Sequence, residues 1–489
     1  MPRPKKSEAE KLKDKQISQA VREMSADLKT NQYVRGQMQF TDMTNRDFFL
    51  RAFPDKIRYC KKWDKFLYWN NTNWRIDDNG KVEEYAVNFI RDMYRGVRFI
   101  RDKILAADFE KHIIKSESYR RIQAMLGLCK MTDKIKVESD DLDKDNYLFN
   151  TKNCSINLKE YRAYDAVPGE LSTKCANVNY DPTAKCPTWE KFLLQIFNSD
   201  YELIDYLQKA IGYSLSGDVS EQCLFIMWGS GANGKSTFLN TLQEILGDYS
   251  CSASTDTFMR KSTEQSNDIA RLRGMRFVTT SEVEQGEALS ESLIKQITGE
   301  DKLTARFLYG EYFSFAPTFK IFMATNHKPK IKGSDNGIWR RIKLIPFTVT
   351  IPPEQRDKHL GEKLKEEASG IFNWMLEGFL KWTKEGLKDP ASVQEANDEY
   401  RDDMDSVGAF IRECLNVDAT CQLRLDNKQL YDVYLKWSTE NNESPLTQKG
   451  LSTRLLEKGF NKRCSNSIRY WEGLSIKVPW ALKILNINK

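Results

Sequence analysis

The sequence predicts an α/β protein: a core of parallel strands and helices, an N-terminal α+β region ahead of it, and a C-terminal helix–turn–helix with a wing. Three observations carry this. Residues 221–350 alternate apolar strand-like runs with helical segments, the pattern of a layered α/β core. Within them, CLFIMWGSGANGKSTFLNTLQEILG sets a strand, a glycine-rich loop and an amphipathic helix in succession. Residues 421–489 read helix, turn, helix, then two strands.

Length and composition bound the rest. A chain of 489 residues is too long for one core and is expected to form about three domains. Apolar residues make up 40% and charged residues 29%, as in soluble globular proteins. No run reaches the roughly 18 apolar residues that a membrane helix needs. The start, MPRPKKSEAEKLKDK, has no apolar stretch after its charges, so it is not a secretory signal. These features predict a cytoplasmic protein without membrane contact. The 10 cysteines form no CxxC pair and only 3 histidines are present, which argues against a structural zinc site. The net charge is +6, and residues 421–489 hold 12 Lys and Arg against 6 Asp and Glu. The tail therefore carries the whole excess, which suggests a polyanionic partner.

In chain order, residues 1–30 alternate Lys and Glu and read as a flexible basic arm. Residues 31–190 form the α+β region. There KFLYWNNTNWRID predicts a hairpin with an Asn-rich turn, and Trp63, Trp69 and Trp74 are assigned to its core rather than to base stacking. Residues 191–350 are the α/β core with two leading helices. Residues 351–416 are a helical extension, with GIFNWMLEGFLKWTKEGL its clearest segment and a break at Pro390. Residues 421–489 are the winged-helix module, its helices NKQLYDVYLKWSTE and TQKGLSTRLLEKG.

The most specific motif is Gly229, four residues, then Gly234-Lys235-Ser236, a match to GxxxxGK[ST]. Such a loop curls so that backbone N–H groups face phosphates, and the following helix turns its positive end to the same anion. Gly229, Gly231, Ala232, Asn233, Gly234, Lys235, Ser236 and Thr237 are the candidate contacts to ATP. Lys235 is assigned to the β- and γ-phosphates and Ser236 to Mg²⁺. MRFVTTSEVEQG is an apolar strand ending in acids. Glu282 at its end is the candidate for Mg²⁺ and for activating the attacking water, with Glu284 as a possible assistant. FKIFMATNHKP ends at Asn326, placed to contact the γ-phosphate. GSDNGIWRRIKLIPF brings Arg340 and Arg341 ahead of another strand, where an arginine can act across a subunit boundary.

Together these motifs resemble a superfamily 3 helicase, and more closely the phage and plasmid primase–helicase family related to poxvirus primase–helicases. The resemblance spans residues 32–477 and includes LFNTKNCSINL, YDPTAKCPTWEKFL, LRGMRFVTTSE and GIWRRIKLIPF. It implies an AAA+-type core, a homo-hexameric ring, translocation on single-stranded DNA and work beside a separate primase and polymerase. It also implies that Arg341 is the arginine finger. Residues 304–315 correspond to a DNA-contacting hairpin, with Lys302, Arg306 and Tyr309 the candidate contacts. Only about 30 weakly structured residues precede the resembling region, so primer synthesis is not expected of this chain. The expected activity is ATP-driven unwinding during replication of a phage, plasmid or genomic-island element in a bacterial host cell, with origin binding by the tail. Lys449, Arg454 and Lys458 are expected on its recognition helix and Lys462, Arg463 and Arg469 on its wing. A loader that uses ATP for assembly without unwinding is the alternative.

Overall fold

The computed structural model describes residues 40–480 apart from 101, 261–265, 282, 309, 332, 334, 419, 421, 466–467 and 479. The arm at 1–30 lies outside the described residues.

The N-terminal hairpin pairs Lys65–Trp69 with Trp74–Ile76, inside a four-stranded sheet completed by Ile57–Cys60 and Lys136–Val137. Its turn is held by the side chain of Asn70, whose Oδ1 accepts from the amides of Thr72 (3.0 Å) and Asn73 (2.9 Å). Trp69 and Trp74 are buried, and the Trp74 indole donates to the Pro168 carbonyl at 2.9 Å. They are core, as their strand spacing predicts.

Beside this sheet, helices Asp42–Ala52, Lys81–Val97, Lys103–Ser116 and Tyr119–Lys130 enclose a separate apolar cluster. His112 sits in it at 7% exposure, with Nε2 2.7 Å from Asn45 Oδ1 and its ring stacked on Phe40. Burial, helped by Arg121 and Lys115 and opposed by Asp42, pulls its pKa from 6.5 down to about 4. The unfolded chain thus takes up a proton between those values that the folded chain refuses. Stability is full above pH 6.5 and is lost as pH falls toward 4, by up to about 3 kcal/mol. Thermal melts from pH 7 to 4.5 should show this slope, and His112→Gln should flatten it. Equal slopes in both proteins would rule out His112 as the cause.

Two helices, α1 (Pro187–Ile196) and α2 (Tyr201–Tyr213), lead into the central sheet. The sheet contains β1 (Leu224–Trp228), β2 (Ser250–Ser252), β3 (Phe277–Ser281), β4 (Lys320–Thr325) and β5 (Ile342–Pro346), and α3 (Lys235–Leu246) follows β1. All pairings are parallel and the order is β5-β1-β4-β3-β2. Phe225 and Met227 face one apolar cluster while Leu224 and Ile226 face another. A strand covered on both sides reads as an unbroken apolar run, which is why LFIMW does.

At the opposite end of the sheet from the glycine loop, two buried cations anchor the preceding segments. Arg276 donates to the carbonyls of Leu148 (2.7 Å) and Leu215. Lys320 donates to those of Ser216 (2.6 Å) and Asp218 (2.8 Å). Burial holds the Lys320 pKa well below the ordinary lysine value.

After the sheet, α4 (Ala368–Glu385) crosses α2 at backbone contact. A Cβ on Gly378 would lie 1.9 Å from the Gln208 carbonyl oxygen, and one on Gly212 would lie 2.0 Å from the Phe379 nitrogen. Just before α4, the Glu367 carboxylate caps α1 by accepting from the amides of Thr188 and Trp189 at 3.0 Å. The end of the described chain holds Ser406–Cys414, α5 (Asn427–Glu440) and α6 (Gln448–Glu457), packed on a three-stranded antiparallel sheet of Arg424–Asp426, Ile468–Glu472 and Lys462–Ser465. Among the described residues, no helix is long and apolar enough to cross a membrane.

Candidate nucleotide site and DNA-facing surfaces

The chain leaves β1 into a loop that needs left-handed backbone at Gly231 (φ 104°), Ala232 (φ 50°) and Gly234 (φ 87°). Gly234 also packs too tightly for a side chain, since a Cβ would meet Ile196 Cγ2 at 2.6 Å. α3 starts at Lys235 without a side-chain cap. Among the described residues, the backbone amides of 230–237 find no protein acceptor. Such a row of orphan donors at a helix N-terminus calls for an anion.

Lys235 is 6% exposed. Its Nζ donates to the Gly229 carbonyl (2.6 Å) and to Asn326 Oδ1 (3.2 Å), and burial lowers its pKa. A buried ammonium that meets only neutral oxygens among the described residues gains from an incoming anion. Asn326 arrives because β4 ends beside β1, with Thr325 opposite Trp228. The Thr325 hydroxyl fixes the turn that follows, accepting from the His327 amide at 3.0 Å. Ser236 is exposed and Thr237 half-buried in the first turn of α3. These residues fit a nucleotide triphosphate: donors, one buried cation and one amide converge where two strands end. Glu282 lies outside the described residues. β3 ends one position before it, with Ser281 opposite Ala324, and Glu284 beyond it is exposed.

The two arginines differ sharply. Arg341 is 9% exposed, and its guanidinium donates to Thr298 Oγ1 (3.1 Å), the Gly337 carbonyl (2.6 Å) and Gln222 Oε1 (3.1 Å). Arg340 is exposed and donates to the same Gln222 oxygen at 2.6 Å. Facing a neighbour, Arg341 would give up three contacts inside its own subunit. Sequence reading missed Gln222, which has a left-handed φ of 50° and no motif to mark it.

The segment between β3 and β4 does form a hairpin, Leu303–Ala305 with Phe313–Phe315. Its tip exposes Phe307, Leu308 and Tyr312, and the Arg306 guanidinium lies 4.8 Å from the Tyr312 ring. Lys302 is exposed at its base; Tyr309 lies outside the described residues. In the end module, Lys458 follows α6 instead of lying within it, and it pairs with Asp405. Arg454 pairs with Glu457 and Arg463 with Glu472. Lys449 and Arg469 are exposed, and Lys462 donates to Ser452 Oγ at 3.0 Å.

Comparison with known proteins agrees with the broad class. Residues 46–198 match the family described as D5 N terminal like, and residues 227–341 match a family of unknown function, DUF5906. A protein of Acanthamoeba polyphaga mimivirus, provisionally named a helicase, is 31% identical over 62% of this chain and 34% of its own length. A provisionally named helicase of Frog virus 3 is 25% identical over 58% of this chain and 31% of its own. A provisionally named primase of African swine fever virus is 23% identical over 54% and 30%. The chain thus spans about a third of the length of these relatives. The apo structure of the NrS-1 C terminal region covers 85% of this chain and 95% of its own, at 11% identity and a TM-score of 0.49. The chain is related to viral proteins of helicase and primase description. These relatives are viral and lend no support to a bacterial host cell.

Proposed function

We propose that the chain is an ATP-dependent DNA helicase of the superfamily 3 type, with an AAA+ P-loop core working as a hexameric ring in replication of a viral or other mobile element. The observation that carries this is the 3.2 Å contact between Lys235 and Asn326 beneath a helix end whose amides lack acceptors. Mg²⁺-ATP supplies a phosphoanhydride bond whose cleavage drives movement. Lys235 and the amides of the loop would bind and orient the phosphates, Ser236 and Glu282 would hold the metal, and Glu282 would take the proton of the attacking water. Asn326 orients that water. The hairpin with Lys302, Arg306 and Tyr309 grips single-stranded DNA by phosphate contact and stacking. A forked duplex, offered with ATP and then with a non-hydrolysable analogue, tests the reading. Hydrolysis stimulated by DNA without strand separation would favour the loader. A separate primase and polymerase complete the replication machinery.

The end module is read as a winged helix that recognises the element's origin. Because Arg454, Lys458 and Arg463 are engaged in ion pairs and Lys462 is half-buried and bonded to Ser452, phosphate contact falls first on Lys449 and Arg469. Deleting residues 421–489 is expected to spare ATP hydrolysis and single-strand binding and to remove origin recognition. At fixed physiological salt, the whole chain should prefer origin over scrambled duplex by at least about 10³. Equal anisotropy-derived affinities would remove the initiator role and leave the helicase standing.

A further inference from the structure

We propose that Asn233 is a positioning residue: its side chain clamps the curve of the phosphate loop to the chain leaving β5. This rests on the reading of the loop as an ATP site. Asn233 is 3% exposed, and its Nδ2 donates to the Phe347 carbonyl at 3.2 Å. That hydrogen bond spends the amide on the protein, so the residue serves phosphate through its backbone and not through its side chain. The same outgoing segment makes two backbone bonds besides, one to the loop and one to the end of β1. The Ile351 amide donates to the Ala232 carbonyl at 2.9 Å, and the Phe347 amide donates to the Trp228 carbonyl at 2.7 Å.

The packing leaves no slack. A Cβ on Gly229 would lie 2.3 Å from both Asn233 Nδ2 and the Phe347 oxygen. Phe347 is itself pinned, 1% exposed, with its ring 4.8 Å from that of Phe197. Ala232 sits at φ 50°, a conformation that an L-residue keeps only when its surroundings impose it. The clamp imposes it. The strand that supplies the clamp begins directly after Arg340 and Arg341 and runs hydrogen-bonded beside β1 along its whole length. One rigid strand therefore joins the arginine pair at one end to the phosphate loop at the other, and Asn233 is the joint.

Asn233→Ala removes one neutral hydrogen bond that shapes the loop before any ligand arrives. Ground state and transition state lose equally, so KM for ATP should rise about tenfold with kcat changed less than about twofold. Affinity for a fluorescent ATP analogue, measured without DNA, should fall by the same factor, and the ligand-free melting temperature should fall modestly with the loss of one buried hydrogen bond. Asn233→Asp keeps the shape, lacks the N–H and turns a carboxylate on the Phe347 carbonyl, so its loss should be larger. Ile351→Pro deletes the donor to Ala232 from the other side of the clamp and should weaken the analogue similarly; it decides the matter if Asn233→Ala does not fold. Unchanged analogue affinity in these variants overturns the proposal. So does a fall in kcat at unchanged affinity, which would put the Asn233 amide on the reacting phosphates. A wild-type chain that binds no analogue would instead overturn the ATP reading itself.

Discussion

Lys235→Ala is expected to abolish ATP hydrolysis, and with it strand separation, while leaving the fold in place. Among the described residues the ammonium is the one cation that the loop encloses, and it bridges the Gly229 carbonyl and Asn326. Removing it leaves the phosphate charge to the amides and the metal. A preorganised donor of this kind is worth on the order of 10²–10³ in rate. The same geometry predicts a ligand effect. Burial lowers the Lys235 pKa because no carboxylate offsets its charge among the described contacts, so nucleotide should raise the melting temperature of the wild type and raise that of the variant less. Hydrolysis at the wild-type rate by Lys235→Ala would remove the loop from the catalytic account.

Arg340→Ala should give subunits that bind nucleotide normally and rings that do not hydrolyse it, a loss of about 10³ or more if the arginine acts in trans. The resemblance to known helicases assigns this role to Arg341. Packing favours its neighbour, since Arg341 is spent on Thr298, Gly337 and Gln222, whereas Arg340 is exposed and its guanidinium has a single partner among the described residues. Arg341→Ala should act differently: it leaves Thr298 and the Gly337 carbonyl short of a donor and should lower the melting temperature. Mixing inactive Arg340→Ala with inactive Lys235→Ala subunits should restore hydrolysis, because some interfaces regain both groups. Rescue by Arg341→Ala subunits and none by Arg340→Ala would return the role to Arg341.

The legible parts of this protein were those with a local cause. The apolar run LFIMW, the left-handed glycines at 231 and 234, and the Asn-rich turn at 70–73 each answer to a backbone requirement that a few neighbouring residues meet on their own. α5 is the same kind of case: its period and the capping side chain of Asp426, which accepts from the Lys428 and Gln429 amides, lie within one stretch of chain. Lys458 shows the limit. It continues the basic pattern of α6 and was expected on that helix, yet it stands just beyond it, paired with Asp405 from 53 positions away.

What the sequence by itself determined is thus the loop, the strands that feed it and the residue types able to handle phosphate. Their cause is short-range: φ preference, alternation and helix ends. What only the tertiary structure decided is which of those residues remain free to act. The strand order β5-β1-β4-β3-β2 brings Asn326 to Lys235 across 91 positions. It buries Arg341 and exposes Arg340, although the two are adjacent. It also joins the loop to Phe347 across 114 positions. A contact made by chain folding has no local signature, because neither partner's conformation requires the other until the sheet has assembled.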